Sequence, residues 1–182
     1  MAKLIKWKDP FENYSVLCTK SANPIGDSKY RYTLERVWDA KKPSVIFIGL
    51  NPSLATHASE DRTILKCVRY AHNWGYGGVV MLNAFAFRDQ SPKGLFAAGE
   101  KGLDFIVGVE NDKSIKAQIK ESKLVIACWG TDGNFMNRYQ SLSKTLQSVN
   151  VKAIQLSKYG FPRHPLYLSG KILENELIPF KF

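Results

Sequence analysis

The chain has 182 residues, 45% of them hydrophobic and 23% charged, which is enough apolar side chain for one domain to bury a core without disulfides or a structural metal. Its 13 glycines and 8 prolines are ordinary for a globular protein and give no reason to expect long disordered tracts. A formal net charge of +10 makes a polyanion the leading partner, because each phosphate neutralised by Lys or Arg releases a condensed counterion; the same charge reads equally as a solubilising surface.

Residues 1–28 read as an irregular lead-in: Ser21–Ser28 (SANPIGDS) is turn chemistry, and the opening MAKLIKWKDPFENY has no apolar run of the kind that directs export. From Tyr30 to Trp38, YRYTLERVW alternates apolar and polar residues, the period of an edge strand with one wet face. Four short apolar runs follow, Val45–Leu50, Val79–Leu82, Leu124–Cys128 and Ala153–Leu156, and read as buried strands. Between the first two, Ile64, Cys67, Val68 and Ala71 recur at helical spacing, with Asp61 placed to cap the helix. Ser91 to Lys123 holds one or two helices, the second capped by Asn111 or Asp112. Between the third and fourth runs Phe135, Tyr139, Leu142, Leu146 and Val149 make a helical stripe. Strand alternating with helix predicts an α/β protein, a three-layer α/β/α sandwich around a short, mostly parallel sheet with an N-terminal edge strand, in a single domain spanning residues 1–182.

Each buried run is followed at once by a polar or glycine-rich cluster: Asn51-Pro52-Ser53, then Asn83 to Arg88 (NAFAFR), then Trp129 to Gly133 (WGTDG), then Ser157 to His164 (SKYGFPRH). In open α/β sheets ligands bind beyond the carboxyl ends of strands, where loops and helix N-termini present backbone N–H groups, so the four clusters together predict a site. Taken singly, each has a plainer reading. Asn51-Pro52-Ser53 is also a common turn, Asn83 also a means of satisfying buried backbone, Trp129 also a core residue, and Arg88 and Arg163 also solvated surface.

The chemistry on offer is one switchable or hydrogen-bonding group, His164, two amides, Asn51 and Asn83, and the aromatic faces of Phe85, Phe87, Trp129, Tyr159 and Phe161. No paired carboxylates stand out, which argues against ordinary glycoside hydrolysis. Cys18, Cys67 and Cys128 are far apart with no C-x-x-C pair, and His57, His72 and His164 show no ligand spacing, so no metal, cluster or disulfide framework is expected. Cys67 and Cys128, set in apolar stretches, read as buried inert thiols. Neither a P-loop nor a dinucleotide fingerprint is present, and no cofactor is expected. With no stretch of 18 apolar residues and no export segment, the expectation is a cytoplasmic monomer that does not meet a membrane. A planar ligand with hydrogen-bonding edges fits the rest, since stacking plus amide recognition is how proteins hold a nucleobase.

At these residues two resemblances appear. GLNPS, DRT at Asp61–Thr63, WGYGG at Trp74–Gly78, NAFAFR, END at Glu110–Asp112, CWGTDG and GFPRHPLY together resemble the bacterial and phage domain-of-unknown-function family 1643, in order over about residues 30–180. More distantly, the layout resembles the uracil-DNA glycosylase superfamily. Gly49-Leu50-Asn51-Pro52 is similar to its water-positioning motif in the Asn form, and VVMLNAF with Asn83 to the strand whose Asn reads the base edge. Trp129-Gly130 is similar to a strand ending in LWG, and His164-Pro165-Leu166 to the loop carrying the catalytic His and a wedge into the duplex. The departures are Asn51 where the fastest branch has a carboxylate, LYLSG in place of a serine-rich wedge loop, and no cysteine ligands.

That resemblance implies hydrolysis of the N-glycosidic bond of a damaged or modified base. Asn51 and His164 would be catalytic, Asn83 would read the base, and Phe87 or Trp129 would stack on it. Ser53, Arg88, Arg163 and the Gly130 backbone would complete the substrate contacts. DNA or a nucleotide is the implied partner. Two alternatives stand beside it: an enzyme on free nucleotides or nucleosides, and a non-catalytic nucleic-acid-binding module.

Overall fold

The computed structural model describes residues 21–22, 29–53, 61–120 and 122–182. The sheet comprises β1 (Ser21–Ala22), β2 (Thr33–Val37), β3 (Ser44–Gly49), β4 (Gly78–Asn83), β5 (Val125–Ala127), β6 (Val151–Ala153) and β7 (Ile178–Pro179), in the order β1-β2-β4-β3-β5-β6-β7. The helices are α1 (Arg62–Asn73), α2 (Pro92–Gly99), α3 (Leu103–Val107), α4 (Asn111–Ile119) and α5 (Arg138–Leu146).

Alternation along the strands sorts the core into two layers, as a sheet covered on both faces requires. Val45, Phe47, Val79, Met81 and Ile126 point to one face, where Ile64, Cys67, Val68 and Ala71 of α1 cover them. Ile46, Ile48, Val80, Leu82 and Val125 point to the other, against Leu95 of α2, Ile106 of α3, Ile115 and Ile119 of α4, and Leu142 and Leu146 of α5. The result is an α/β/α sandwich. Its four central strands, β4, β3, β5 and β6, are parallel, but β1, β2 and β7 run antiparallel to their neighbours. The sheet is therefore mixed, with three parallel pairings of six, and the mostly parallel expectation is matched in its four central strands only.

From β3 the chain steps to β4 on one side, then returns past β3 to β5 and β6 on the other. The helices change face with that reversal, and the crevice it opens lies beyond the carboxyl ends of β3 and β5, where Asn51 and Trp129-Gly130 follow.

Several local expectations are corrected. The strand from Tyr30 is not the sheet edge, since Ser21–Ala22 pairs outside it; Arg31 on its supposedly wet face is buried, and so is Arg36 on the opposite face beside Leu34. Cys18 and His57 lie outside the described residues, as does the lead-in apart from Ser21–Ala22, which is a short strand paired with β2 where turn was expected. The last parallel strand is Val151–Ala153, earlier than the Ala153–Leu156 run, because pairing with β5 ends at Ala153, and Gln155 and Leu156 pair instead with Arg163 and Pro162 of the following loop. The stretch before β5 holds three helices, and Glu110 occupies the cap position of α4 without a side-chain bond, Asn111 being employed elsewhere. Phe135 is not in α5: the turn before it is a 3₁₀ segment in which Met136 and Asn137 take left-handed backbone (φ 51° and 59°), breaking the helical period. The expected cap of α1 is in place, Ile64 N–H donating to the Asp61 carboxylate at 2.9 Å.

Candidate functional site

The polar clusters converge because the segments beyond the strands are tied to one another. After β3 and β4, Ala84 N donates to Gly49 O, Phe85 N to Leu50 O (both 2.9 Å) and Asp89 N to Pro52 O (3.0 Å). After β5 and β6, Gly130 N donates to Pro162 O at 2.9 Å, with Gly130 at φ 77°, a backbone setting that favours glycine. Between these pairs lies a cleft of about 710 Å³, the size of a mononucleotide-scale ligand site. Asn51, Ser53, Asn83, Trp129, Gly130, Arg163 and His164 all border it.

Asn83 is the most constrained member. It ends β4, is 1% exposed, and its backbone carbonyl accepts from Asn111 Nδ2 at 3.0 Å. Asn111 also reaches Ala84 O (3.1 Å), which accepts a second bond from Arg138 Nε (2.7 Å). Arg138, itself 1% exposed, is held by the Asp112 carboxylate through both terminal nitrogens. The END segment and Arg138 thus fix the peptide that carries Asn83. Its side-chain nitrogen, by contrast, is buried without a hydrogen-bond partner. Gly49 makes room for the amide: a methyl there would fall 3.0 Å from Asn83 Oδ1.

Asn51 is half-buried. Its Nδ2 donates to Asp89 O at 3.1 Å and more weakly to Pro52 O at 3.3 Å, which turns the remaining oxygen into the available acceptor. His164 is half-buried at the opposite loop. Leu166 N–H donates to its Nδ1 at 3.4 Å, so in the neutral ring the proton sits on Nε2, which is then a donor. Burial pushes the His164 imidazole below its ordinary value near 6.5, and the Asp61 charge opposes that shift. Neutral imidazole is therefore the favoured form at neutral pH.

The aromatic assignments change. Trp129 reaches the cleft margin, but its indole is 1% exposed, donates to Tyr139 Oη at 2.9 Å and packs on Phe180 and Phe182, so its faces belong to the core. Phe87 lies outside the cleft, against Tyr30 and Phe105. Arg88 is absent from the cleft wall too, its segment being pinned by the bond from Arg88 N to Lys29 O. Besides Trp129, the aromatic residues that do border the cleft are Phe161 and Tyr167.

The sequence reading missed Arg31, 3% exposed on the cleft wall, because strand alternation placed it on a wet face. It missed Asp61 as more than a cap, although Asp61, Arg62 and Thr63 at the start of α1 also line the cleft. The charged lining groups balance, Arg31, Arg62 and Arg163 facing Asp61, Asp89 and Asp132. Burial pushes the Cys67 and Cys128 thiols up, which suits inert core residues. Among the described residues no three His, Cys, Asp or Glu side chains gather as a metal site, and no helix is long and apolar enough to cross a membrane.

Residues 31–166 match the family model described as Protein of unknown function (DUF1643), a span that runs from Arg31 to Leu166 on the cleft wall. No curated protein and no solved structure matches the chain.

Proposed function

The chain belongs to that DUF1643 family, and from the chemistry of its cleft we propose that it hydrolyses the N-glycosidic bond of a damaged or modified nucleobase, in the manner of uracil-DNA glycosylases. The observation that carries this reading is the buried, unpartnered amide nitrogen of Asn83 on the cleft wall. Leaving such a donor unpaired costs about 1–3 kcal/mol, and a ligand carbonyl removes that cost.

A base edge presents such a carbonyl. Asn83 offers a donor and an acceptor to a pairing edge, and Phe161 adds an aromatic ring to the lining of the same cleft. As the bond to the sugar lengthens, negative charge grows on the departing base and positive charge on the sugar. His164, neutral with Nε2–H as donor, supports the first, as a preorganised donor aimed at developing charge does. Asn51, its nitrogen committed to Asp89 O, offers its oxygen to the attacking water. Arg163 borders the same cleft and offers its guanidinium to a phosphate, whereas the Gly130 N–H is already donated to Pro162 O.

The balanced charge of the lining favours a second reading, an enzyme on a free nucleoside or nucleotide with little contact to a polymer. The test is release of free base from oligonucleotides and matching nucleosides carrying uracil, hypoxanthine, alkylated and hypermodified bases. Release from oligonucleotides supports the glycosylase reading, and release from nucleosides alone supports the second. Binding without release would leave a nucleic-acid-binding module and overturn both.

A further inference from the structure

A helix cap needs one acceptor oxygen for one backbone N–H, and Ser, Thr or Asn serve as well as Asp. Asp61 does more than that. One oxygen accepts from Ile64 N at 2.9 Å, the other from Ser53 Oγ at 2.5 Å, and the half-buried carboxylate borders the cleft shared by Asn51, Asn83 and His164. An ionised carboxylate has about four lone-pair sites, so these two bonds orient it without filling it.

We infer that Asp61, aimed by Ser53, is the carboxylate of this site and the base that takes the proton of the attacking water. The inference rests on the hydrolase reading above. It also answers that reading's main weakness, since Asn51 cannot accept a proton. Of the other cleft carboxylates, one is packed in and the other is not oriented. Asp89 Oδ1 accepts from Ser91 N at 2.9 Å, and the group packs so closely on Gly94 that a methyl there would lie 2.1 Å from Asp89 Cγ. Asp132 neighbours only the Thr131 hydroxyl, at 3.5 Å. Asp61 is also the acid whose charge acts on His164.

In the step itself, the water oxygen bonds to the anomeric carbon as the carbon–nitrogen bond breaks, its electron pair leaving with the base. One water proton passes to the Asp61 carboxylate and the other stays as the new sugar hydroxyl. The base anion, hydrogen-bonded by His164, takes a proton from solvent, and Asp61 releases its own. Water and glycoside are thereby converted to free base and free sugar hydroxyl, with no oxidant or co-reactant.

The experiment compares wild type, Asp61→Asn and Asp61→Ser on the panel member released fastest, with His164 titrated by NMR in each. Both substitutions keep a capping oxygen, so melting temperatures should stay close to wild type. The charge on Arg31, Arg62, Asp89, Asp132 and Arg163, the other ionised groups facing the cleft, is unchanged. Turnover should fall about 10²–10⁴-fold in both variants, the usual loss of a general base. Added formate should restore part of the Asp61→Ser rate, which no purely structural role predicts, and the His164 pKa should drop once the neighbouring charge is gone. Full turnover in Asp61→Asn, or an unmoved His164 titration, would overturn the inference while leaving the hydrolase reading intact. No release of any base by wild type would overturn both.

Discussion

An unpaired amide nitrogen in a dry wall is a liability that a ligand relieves, and Asn83 and His164 divide the work that follows. Asn83 meets the base before and during cleavage, so Asn83→Asp, which replaces donors with an anion, should change which base is accepted as well as the rate. His164 is needed only as charge appears. Removing it in His164→Ala should lower turnover about 10²–10³-fold while substrate affinity stays near wild type. Single-turnover rates and equilibrium binding, measured on one base-bearing oligonucleotide, separate the two effects. Unchanged turnover in His164→Ala would end its catalytic role.

His164 also ties stability to pH. Its folded pKa lies below the ordinary value near 6.5, because burial disfavours the charged ring. The unfolded chain therefore holds this proton more tightly, and acid favours unfolding. The stabilising contribution is complete above the unfolded value and is lost as pH falls through the folded one. In urea melts between about pH 7 and about pH 5, His164→Gln should lose less stability than wild type. Equal losses would mean that the ring is not desolvated.

At the scale of elements, the end of β4 is held by a polar clamp whose parts come from far along the chain: Asn111 at the start of α4, and Arg138 at the start of α5 with Asp112 behind it. Arg138→Met should cost roughly 3 kcal/mol, because it strips a buried carbonyl of one donor and leaves Asp112 without its cation. Arg138→Lys should recover little, since an ammonium cannot bond Ala84 O and both Asp112 oxygens in one plane. Chemical denaturation checks the first statement, and a raised KM at unchanged fold content would show that Asn83 has lost its aim.

None of this clamp was legible in the sequence, where Asn111 or Asp112 read as a helix cap and nothing marked Arg138. A side chain that reaches across to another element's carbonyl leaves no local period. What was legible had local causes: the apolar runs of β3, β4 and β5, and the Asp61 cap three residues ahead of the stripe on α1. The stripe through Phe135 misled because apolar spacing continued across the left-handed turn at Met136 and Asn137, which hydrophobic periodicity does not register. Strand β7 is only Ile178–Pro179, too short to show alternation. In the cleft, position after a strand picked out Asn51, Asn83 and His164, but it could not say which way the rings of Trp129 and Phe87 turn.

For the whole molecule the open contrast is between a chain of net charge +10 and a cleft whose lining carries three arginines and three aspartates. The excess positive charge therefore lies outside the cleft, and the two kinds of ligand should report it differently. A free nucleoside monophosphate meets only the balanced lining, so its affinity should vary little with added salt. An oligonucleotide long enough to leave the cleft meets the remaining lysines and arginines, and each phosphate neutralised there contributes about −0.7 to −0.9 to the slope of log affinity against log salt. Titrating one modified mononucleotide, and single-stranded and duplex oligonucleotides of the same base, at several salt concentrations gives the three slopes. A steep slope for the polymers and a shallow one for the mononucleotide would identify the surface as a nucleic-acid track leading to a neutral pocket. Near-zero slopes for all three would make the charge a solubilising one and turn the choice toward the free-nucleotide reading. Steep slopes with equal affinity for unmodified DNA would mean that the track binds while the pocket selects nothing.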